Sequence, residues 1–331
     1  MHSVTLSNLR TFNADTHQSI LENGLKQGIF LEHSCKTGRC GVCAVKVLEG
    51  KTNTLQSETG LTKEQAAQGY VLSCCRAACS DISLDAEDLP ELQNIKIKIY
   101  PARIDSIQLA TESIIKVVLR IPPNTPFAFL PGQYIGVIGP NGTRRSYSIA
   151  NAPRGDHKIE LHIKNVEGGE LSAYWFKQAK VNDLLRFEGP LGTFFLRNPL
   201  PPKLLLLATG TGFAPIKAIL EQLKAIAAQA PASVGEVGLY WGNRFETDIY
   251  QQLDQLDLPN LKVQHVVSRP GPSWQGRSGY IQNAVLKDYS NLNDFAAYAC
   301  GSIHMIESAK AILTAIGLPS NKFYSDAFVS S

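Results

Sequence analysis

Cysteines are the first residues of this 331-residue chain whose type and spacing suit chemistry. Six of the seven lie in the first quarter of the sequence, and the full set is Cys35, Cys40, Cys43, Cys74, Cys75, Cys79 and Cys300. The opening residues lack the basic start and apolar core of a secretion signal, so we expect a cytoplasmic protein. An odd number of cysteines in such a chain disfavours a disulfide framework and predicts metal or redox chemistry.

The segment CKTGRCGVC places Cys35, Cys40 and Cys43 at the spacing C-x4-C-x2-C. This is the spacing of plant-type [2Fe–2S] ferredoxins, in which one loop supplies three of the four thiolates. Gly38 and Gly41 would let backbone N–H groups turn toward the cluster. Zinc sites instead favour C-x2-C pairs at two places, and this loop does not repeat.

The fourth thiolate has to come from another segment. The apolar residues before Cys74, in YVLSC, resemble the fourth-ligand segment of ferredoxins and favour Cys74. The adjacent Cys75 stays open as the competing ligand, and Cys79 is interpreted as an ordinary thiol. The predicted metal ligands are therefore Cys35, Cys40, Cys43 and Cys74.

A second group of functional residue types is the segment Arg145-Ser146-Tyr147-Ser148. An arginine can hold a phosphate by charge-assisted hydrogen bonds, and a tyrosine ring offers a flat face to an isoalloxazine. The segment resembles the R-x-Y-S signature of the ferredoxin–NADP reductase superfamily. That resemblance implies FAD bound by Arg145, Tyr147 and Ser148, with the Ser148 hydroxyl near the reactive flavin nitrogen and so a predicted catalytic group.

A second flavin segment of the same superfamily is similar to HIKNVEGGELS. Its predicted cofactor-binding residues are His162, Lys164, Gly169, Leu171 and Ser172. Gly169 and Ser172 would begin a helix whose N-terminus faces the FAD pyrophosphate. The alternative interpretation is a solvated hairpin and helix cap, with a structural histidine.

The segment ATGTGFAP follows an apolar strand and precedes a helix with Pro215 at its first position. Glycines and a helix N-terminus suit a pyrophosphate, which predicts a dinucleotide loop at Thr209, Gly210, Thr211 and Gly212. Arg244 and Arg269 each follow a strand and are candidates for the adenosine side, or else solvated charges. Because no clustered Ser/Arg pair is evident, and because the relatives that the chain resembles use NADH, NADH is favoured over NADPH.

Two further residues are assigned through the resemblance alone. A Cys-Gly pair such as Cys300-Gly301 lies, in this superfamily, beside the nicotinamide carbon that gives the hydride. Cys300 is therefore a predicted catalytic residue, the alternative being a small buried thiol. An aromatic residue near the C-terminus often packs on the flavin, and Phe328 is the candidate here.

Composition and periodicity predict how these residues are positioned. With 44% hydrophobic and 18% charged residues the chain is globular, and its net charge of +3 argues against nucleic acid as a partner. The longest aliphatic run, 204–208, is far shorter than the roughly 20 residues of a membrane span. We predict an α+β ferredoxin domain with the β-grasp fold (1–92), an antiparallel β-barrel that binds FAD (96–198) and an α/β doubly wound parallel sheet that binds NAD (203–331).

This order of domains resembles the ferredoxin-first oxidoreductases. They include reductase components of aromatic dioxygenases and di-iron monooxygenases. The stretches GQYIGVIGPNGTRRSYSIANAP and EGPLGTFFLR most resemble the reductases of CDP-4-keto-6-deoxyhexose C-3 deoxygenation. The resemblance implies electron flow from NADH to FAD to [2Fe–2S], and then to a pyridoxamine-phosphate-dependent iron–sulfur dehydrase. The alternatives are an oxygenase partner, or a non-enzymatic electron carrier or docking module.

Overall fold

The computed structural model describes residues 1–253 and 258–328. These residues form two compact units, 1–95 and 96–328, and each is described by itself.

The first unit is a small mixed sheet with two short helices. Its elements are β1 (His2–Leu6), β2 (Thr11–Ala14), α1 (Ile20–Lys26), β3 (Ala44–Glu49), β4 (Thr52–Thr54), α2 (Lys63–Ala67), β5 (Tyr70–Leu72), β6 (Arg76–Ala78) and β7 (Ile82–Asp85). The main sheet has the order β2-β1-β7-β3-β5, and β4 pairs with β6 separately. Ser19 and Glu22 form a reciprocal capping box at the start of α1, which fixes where that helix begins.

Strand β7 occupies the middle of this sheet, where it runs parallel to β1 and antiparallel to β3. The segment ISLDAEDL is predicted to close this unit as an edge strand, and this prediction is wrong. The side chains of Ile82 and Leu84 lie in the core, while the alternate positions face away from it. Alternation reports one buried face and does not tell a central strand from an edge strand.

The second unit begins with six antiparallel strands and one helix. They are β8 (Lys98–Thr111), β9 (Ile114–Arg120), β10 (Tyr134–Ile138), β11 (Arg144–Ser148), β12 (Lys158–Lys164), α3 (Glu170–Lys177) and β13 (Leu184–Leu191). The order is β11-β10-β13-β8-β9-β12, and a bridge between Ile149 and Leu161 joins the two outer strands. The predicted antiparallel barrel is therefore present, and we call it the barrel lobe.

The rest of the second unit alternates strands with helices. The elements are β14 (Lys203–Thr209), α4 (Phe213–Gln229), β15 (Glu236–Asn243), β16 (Leu261–Val267), β17 (Arg277–Ser278), α5 (Ile281–Asp288), β18 (Phe295–Ser302), α6 (Ile303–Ala315) and β19 (Phe323–Phe328). All six strands are parallel, in the order β17-β16-β15-β14-β18-β19. This sheet lobe confirms the predicted doubly wound fold, and its strand order reverses between β14 and β18.

Two local expectations about the sheet lobe differ from the structure. A 3-10 turn at Gly210–Gly212 leads straight into α4, so Pro215 is the third residue of that helix and not the first. A helix is predicted from Asp248, but only a 3-10 turn at Glu246–Asp248 forms, and residues 254–257 of that segment lie outside the described residues. Within the described ranges, no helix is both long and apolar enough to span a bilayer.

The barrel lobe has an apolar core of its own, and a few of its residues also pack into the core of the sheet lobe. Ile114, Phe194 and Leu196 of the barrel side pack in the same cluster as Phe213 and Trp241 of the sheet lobe. The boundary proposed at about 198–203 stays a prediction, because the two lobes belong to one compact unit although each has its own core.

Candidate functional site

The four predicted metal ligands form two pairs of thiols. The Sγ atoms of Cys43 and Cys74 are 3.2 Å apart, and Cys35 accepts a hydrogen bond from the Cys40 thiol. The pairs are also close enough for Cys74 to sense the charge of Cys35. Among residues 1–253 and 258–328 no three Cys, His, Asp or Glu side chains converge on a point suited to a single ion. Two pairs of sulfur donors fit a centre with two irons.

Cys75 lies next to Cys74, but its thiol faces away from the two pairs. Its Sγ is 3.5 Å from that of Cys74 but hydrogen-bonds weakly to the Ser57 carbonyl at 3.6 Å, and it lies 2.7 Å from where a Cβ on Gly38 would stand. Burial raises the pKa of Cys75, whereas the hydrogen bond from Cys43 lowers that of Cys74. These contacts support Cys74 as the fourth ligand.

The sheet lobe and the barrel lobe enclose a cavity of about 810 Å³. It opens at the carboxyl ends of the parallel strands, where ligands bind in doubly wound folds. Six predicted cofactor residues line it: Lys164, Thr209, Gly210, Thr211, Arg244 and Phe328. Lys164 comes from the end of β12, so both lobes contribute to the cavity.

The floor of the cavity is built where β14 and β18 end side by side. A Cβ on Gly212 would lie 2.2 Å from the Cys300 carbonyl oxygen, and one on Gly301 would lie 2.0 Å from Thr209 Oγ1. The Ser302 N–H donates to that same hydroxyl at 3.3 Å. The loop 209–212 thus packs directly against the Cys300 backbone. The Cys300 side chain is fully buried, and burial raises its pKa so that it stays a neutral thiol.

The strands β15 and β16 bring their terminal polar residues together. Ser268 and Arg244 both line the cavity, and the Arg269 N–H donates to the Arg244 carbonyl at 2.9 Å. The segments that carry Arg244 and Arg269, which are separate in sequence, therefore meet at adjacent strand ends. Both arginines are exposed and form no ion pair with a described residue.

Gln282 escaped the sequence analysis, and Asn243 was indicated there only as part of the strand-end segment YWGNR. Asn243 is buried at the end of β15, and neither atom of its side-chain amide has a hydrogen-bond partner among the described residues. Gln282 donates to Ser308 at 3.0 Å, but its carbonyl oxygen is also unpartnered. Unpartnered buried polar atoms are costly, so such groups beside a cavity fit a polar ligand. Asn243 directly follows YWG at a strand end, which is the one signal that pointed to it.

The flavin segments are brought together on the barrel lobe. Arg145 lies on β11, is exposed, and forms no ion pair among the described residues. Its charge reaches Glu170 at the start of α3, whose carboxylate accepts hydrogen bonds from Thr143 and Asn141. The Trp175 indole of α3 donates to the Tyr147 hydroxyl at 3.2 Å. β11 and α3 therefore form one surface with a free guanidinium beside a helix N-terminus, which fits a dinucleotide phosphate.

Other residues assigned to the flavin are more enclosed. Gly169 caps α3, so the predicted helix is present, and its role toward the pyrophosphate stays a prediction. The Ser172 hydroxyl accepts from the Val166 N–H at 3.1 Å, and Leu171 packs in the barrel core. Ser148 is 7% exposed at the end of β11. Because the Leu171 side chain is buried in the barrel core, only the backbone of Leu171 could contact a cofactor.

His162 is placed quite differently from a flavin ligand. Its side chain is fully enclosed, its Nδ1 is 2.9 Å from the Tyr250 hydroxyl, and its Nε2 is 2.8 Å from the Glu160 carboxylate. With both ring nitrogens engaged, the His162 side chain has no atom to offer FAD. Contact with the cofactor would be limited to its backbone.

Three domain families match the chain. Residues 4–79 match the 2Fe-2S iron-sulfur cluster binding domain, residues 101–196 the oxidoreductase FAD-binding domain, and residues 206–311 the oxidoreductase NAD-binding domain. The chain is 43% identical, over 324 residues, to the CDP-6-deoxy-L-threo-D-glycero-4-hexulose-3-dehydrase reductase of Yersinia pseudotuberculosis, covering 97% of this chain and 96% of that protein. The chain belongs to the family of ferredoxin-first NADH reductases.

More distant relatives of this reductase share the same organisation. A reductase component of naphthalene 1,2-dioxygenase/salicylate 5-hydroxylase systems from Ralstonia is 33% identical and is covered over 96% of its length. The crystal structure of the Amycolatopsis cytochrome P450 reductase GcoB aligns with a TM-score of 0.74 and 26% identity, over 100% of this chain and 99% of that one. The reductase accordingly binds FAD, a [2Fe–2S] cluster and NADH, and it delivers electrons to an acceptor protein.

The enclosed histidine predicts how acid affects the FAD-binding unit of this reductase. Burial lowers the pKa of His162 below 6.5, although the hydrogen bond to Glu160 opposes the shift. The unfolded chain therefore takes up the proton first, and the stability due to neutral His162 is full above pH 6.5 and is lost as the pH falls below it. We expect the temperature of FAD release, followed by flavin fluorescence, to fall as the pH is lowered from about 7.5 to 5.5. The fall should be smaller in His162→Gln. If the FAD-release temperature changes equally with pH in the two proteins, the effect is not due to His162.

Proposed function

We propose that this reductase supplies electrons to a pyridoxamine-phosphate-dependent iron–sulfur dehydrase that removes the C-3 oxygen of a CDP-4-keto-6-deoxyhexose. The observation that carries the proposal is the 43% identity, along nearly the whole chain, to a CDP-hexulose dehydrase reductase. The identity to the dioxygenase reductase of Ralstonia, over a similar length, is 33%.

The two units carry the residues for different cofactors, and the first unit carries those for the cluster. When bound, NADH would supply two electrons as a hydride to FAD, and the [2Fe–2S] cluster would supply one-electron transfer to the acceptor. We assign Cys35 and Cys40 to one iron, and Cys43 and Cys74 to the other, because they already lie in pairs. Cys35 and Cys40 are partly exposed, which leaves this side of the loop open to a partner.

The residues of the second unit would bind and orient FAD and NADH. Arg145 and the N-terminus of α3 would neutralise the FAD phosphates, and Tyr147 would lie against the flavin ring. The loop 209–212 would hold the pyrophosphate of NADH in the cavity, with the buried Cys300 beside the nicotinamide. Phe328, 43% exposed at the cavity, would cover the flavin until the nicotinamide enters. Arg244 and Ser268 place a positive charge and a hydroxyl at the cavity, so NADPH is tested beside NADH.

The proposal is tested by anaerobic stopped-flow spectroscopy on the full chain. NADH should bleach the flavin before the cluster. Addition of a candidate dehydrase loaded with pyridoxamine phosphate and its CDP-sugar should then restore the oxidised spectrum and yield the 3-deoxy sugar. If NADH reduces both centres and the dehydrase leaves them reduced, the acceptor assignment is wrong. An oxygenase component is then tried as the acceptor, since the 33% identity to the Ralstonia reductase makes it the second candidate.

The unpartnered amide of Asn243 gives a separate prediction for NADH binding. Asn243→Leu removes two buried polar groups that have no partner, so the cofactor-free protein should unfold at the same or a higher temperature. If the amide hydrogen-bonds NADH, the KM for NADH should rise roughly tenfold, as expected for one or two lost hydrogen bonds. An unchanged KM would exclude Asn243 from the binding site.

The cytoplasmic location stays a prediction.

A further inference from the structure

A buried polar cluster joins the barrel lobe to the sheet lobe outside the cavity. We call Glu160, His162, Lys217 and Tyr250 the interlobe cluster. Glu160 and His162 lie on β12 of the barrel, Lys217 lies on α4, and Tyr250 follows β15. The Glu160 carboxylate accepts from His162 at 2.8 Å and from Lys217 at 3.3 Å, and His162 meets the Tyr250 hydroxyl at 2.9 Å.

The protonation of the interlobe cluster follows from its hydrogen bonds. Neutral His162 donates from Nε2 to Glu160 and accepts from the Tyr250 hydroxyl at Nδ1, so every ring atom that can hydrogen-bond does so. Lys217 also donates to the Ala150 carbonyl at 3.0 Å and to Glu221 at 2.7 Å. Lys217 and Arg154 already pair with Glu160, at 3.3 and 3.9 Å, so a protonated His162 would add a further positive charge beside them. The cluster is therefore fully hydrogen-bonded with a neutral histidine.

Tyr250 connects the cluster to the loop 209–212. Its ring packs edge-on against Trp241, with centroids 5.0 Å apart, and the Trp241 indole donates to the Gly210 carbonyl at 3.0 Å. Trp241 also stacks on Phe213, the first residue of α4, at 4.3 Å. The position of the loop 209–212 is thus tied, through two side chains, to β12. The same strand β12 ends at Lys164 in the cavity.

We propose that Glu160, His162 and Tyr250 are positioning residues for hydride transfer, and this inference rests on the proposed function. They fix the orientation of the sheet lobe against the barrel lobe, and therefore the distance between the loop 209–212 and the flavin surface formed by β11 and α3. Apolar side chains would bury this contact with less desolvation cost, whereas directional hydrogen bonds can also fix its orientation. Hydride transfer needs such specification, because a misplacement of about 1 Å can cost up to a hundredfold in rate.

The test is single-turnover reduction of the FAD in the full, cofactor-loaded protein by NADH. Tyr250→Phe keeps the ring contact with Trp241 and removes only the hydroxyl that meets His162. We expect the limiting rate of flavin reduction to fall on the order of tenfold, with the Kd for NADH and the FAD content within about twofold. With NADH deuterated at the transferred position, the primary isotope effect should rise, because transfer itself becomes slower. A purely structural role would lower FAD content or stability without that change.

Two further variants keep the test decisive. Glu160→Gln should act on the same contact, and the double variant should be no slower than the slower single variant, since the two residues form one unit. Tyr289→Phe is the matched control: its hydroxyl donates to Glu236 at 2.9 Å within the sheet lobe and away from β12, so its rate should equal that of the wild type.

The outcomes separate the inference from the proposed function. If Tyr250→Phe and Glu160→Gln both reduce FAD at the wild-type rate, or if Tyr289→Phe slows it equally, the positioning role is wrong. If NADH fails to reduce the FAD of the wild type, the proposed function itself is wrong. If the dehydrase alone fails to reoxidise the protein, only the acceptor assignment is wrong, and the positioning role stands on the rates of flavin reduction.

Discussion

Replacing Cys74 with serine will remove the [2Fe–2S] cluster, while replacing Cys75 with serine will leave it in place. Cys74 lies 3.2 Å from Cys43 and senses Cys35, whereas Cys75 faces the Ser57 carbonyl behind Gly38. Cys74→Ser should lose its iron and acid-labile sulfide, as measured chemically and by electron paramagnetic resonance after reduction. Electron delivery to cytochrome c, a one-electron acceptor, should fall on the order of a hundredfold because the cluster carries that step.

The flavin supplies an internal control for this result. NADH-dependent reduction of ferricyanide, which the flavin itself can support, should survive in Cys74→Ser, showing that the second unit is intact. If Cys75→Ser loses the cluster and Cys74→Ser keeps it, the ligand assignment is reversed. Loss of iron from both variants would point to collapse of the loop, and neither cysteine would then be assigned.

The second large effect is expected at Arg145, which is the free guanidinium beside the N-terminus of α3. Arg145→Ala removes a charge-assisted contact to an FAD phosphate and should weaken FAD binding by about 2 kcal/mol, or roughly thirtyfold in Kd. Titration of the FAD-free protein with FAD, followed by quenching of flavin fluorescence, measures this directly. Flavin should also be lost from Arg145→Ala on gel filtration.

The neighbouring Arg144 is the matched control. It has the opposite orientation on β11, because alternate residues of a strand face opposite sides, and it pairs with Glu188. An exposed ion pair contributes at most about 1 kcal/mol, so Arg144→Ala should keep FAD affinity near that of the wild type. Equal losses in the two variants would mean that the strand, and not the Arg145 charge, governs FAD binding.

Local sequence patterns were sufficient to predict the three sheets and the segments that carry function. The spacing of Cys35, Cys40 and Cys43 is contiguous, and Thr209–Gly212 stands between a strand and a helix, so each could be recognised without tertiary information. β7 shows the limit of such patterns, since its alternation is that of any strand with one buried face. Its central position depends on a parallel pairing with β1, some 80 residues away.

Residues that act through distant partners could not be assigned from the sequence. His162 lies within a segment similar to a flavin-binding motif, yet its ring is used by Glu160 two residues earlier and by Tyr250, which is 88 residues away. The assignment of Asn243 requires knowing that its amide has no partner among the described residues. The assignment of Arg244 together with Ser268 requires knowing that β15 and β16 are adjacent. These properties depend on the register of adjacent strands and not on any motif.

The contact of Gly212 with the Cys300 carbonyl has a consequence for protein engineering. The two segments leave no room for a methyl group between them, so a side chain cannot be added to either segment unless the other segment moves. Exchange of cofactor preference between relatives by grafting loops would have to transfer residues 209–212 and 300–302 together. Evolution faces the same restriction, and substitutions in these two segments are expected to occur as pairs.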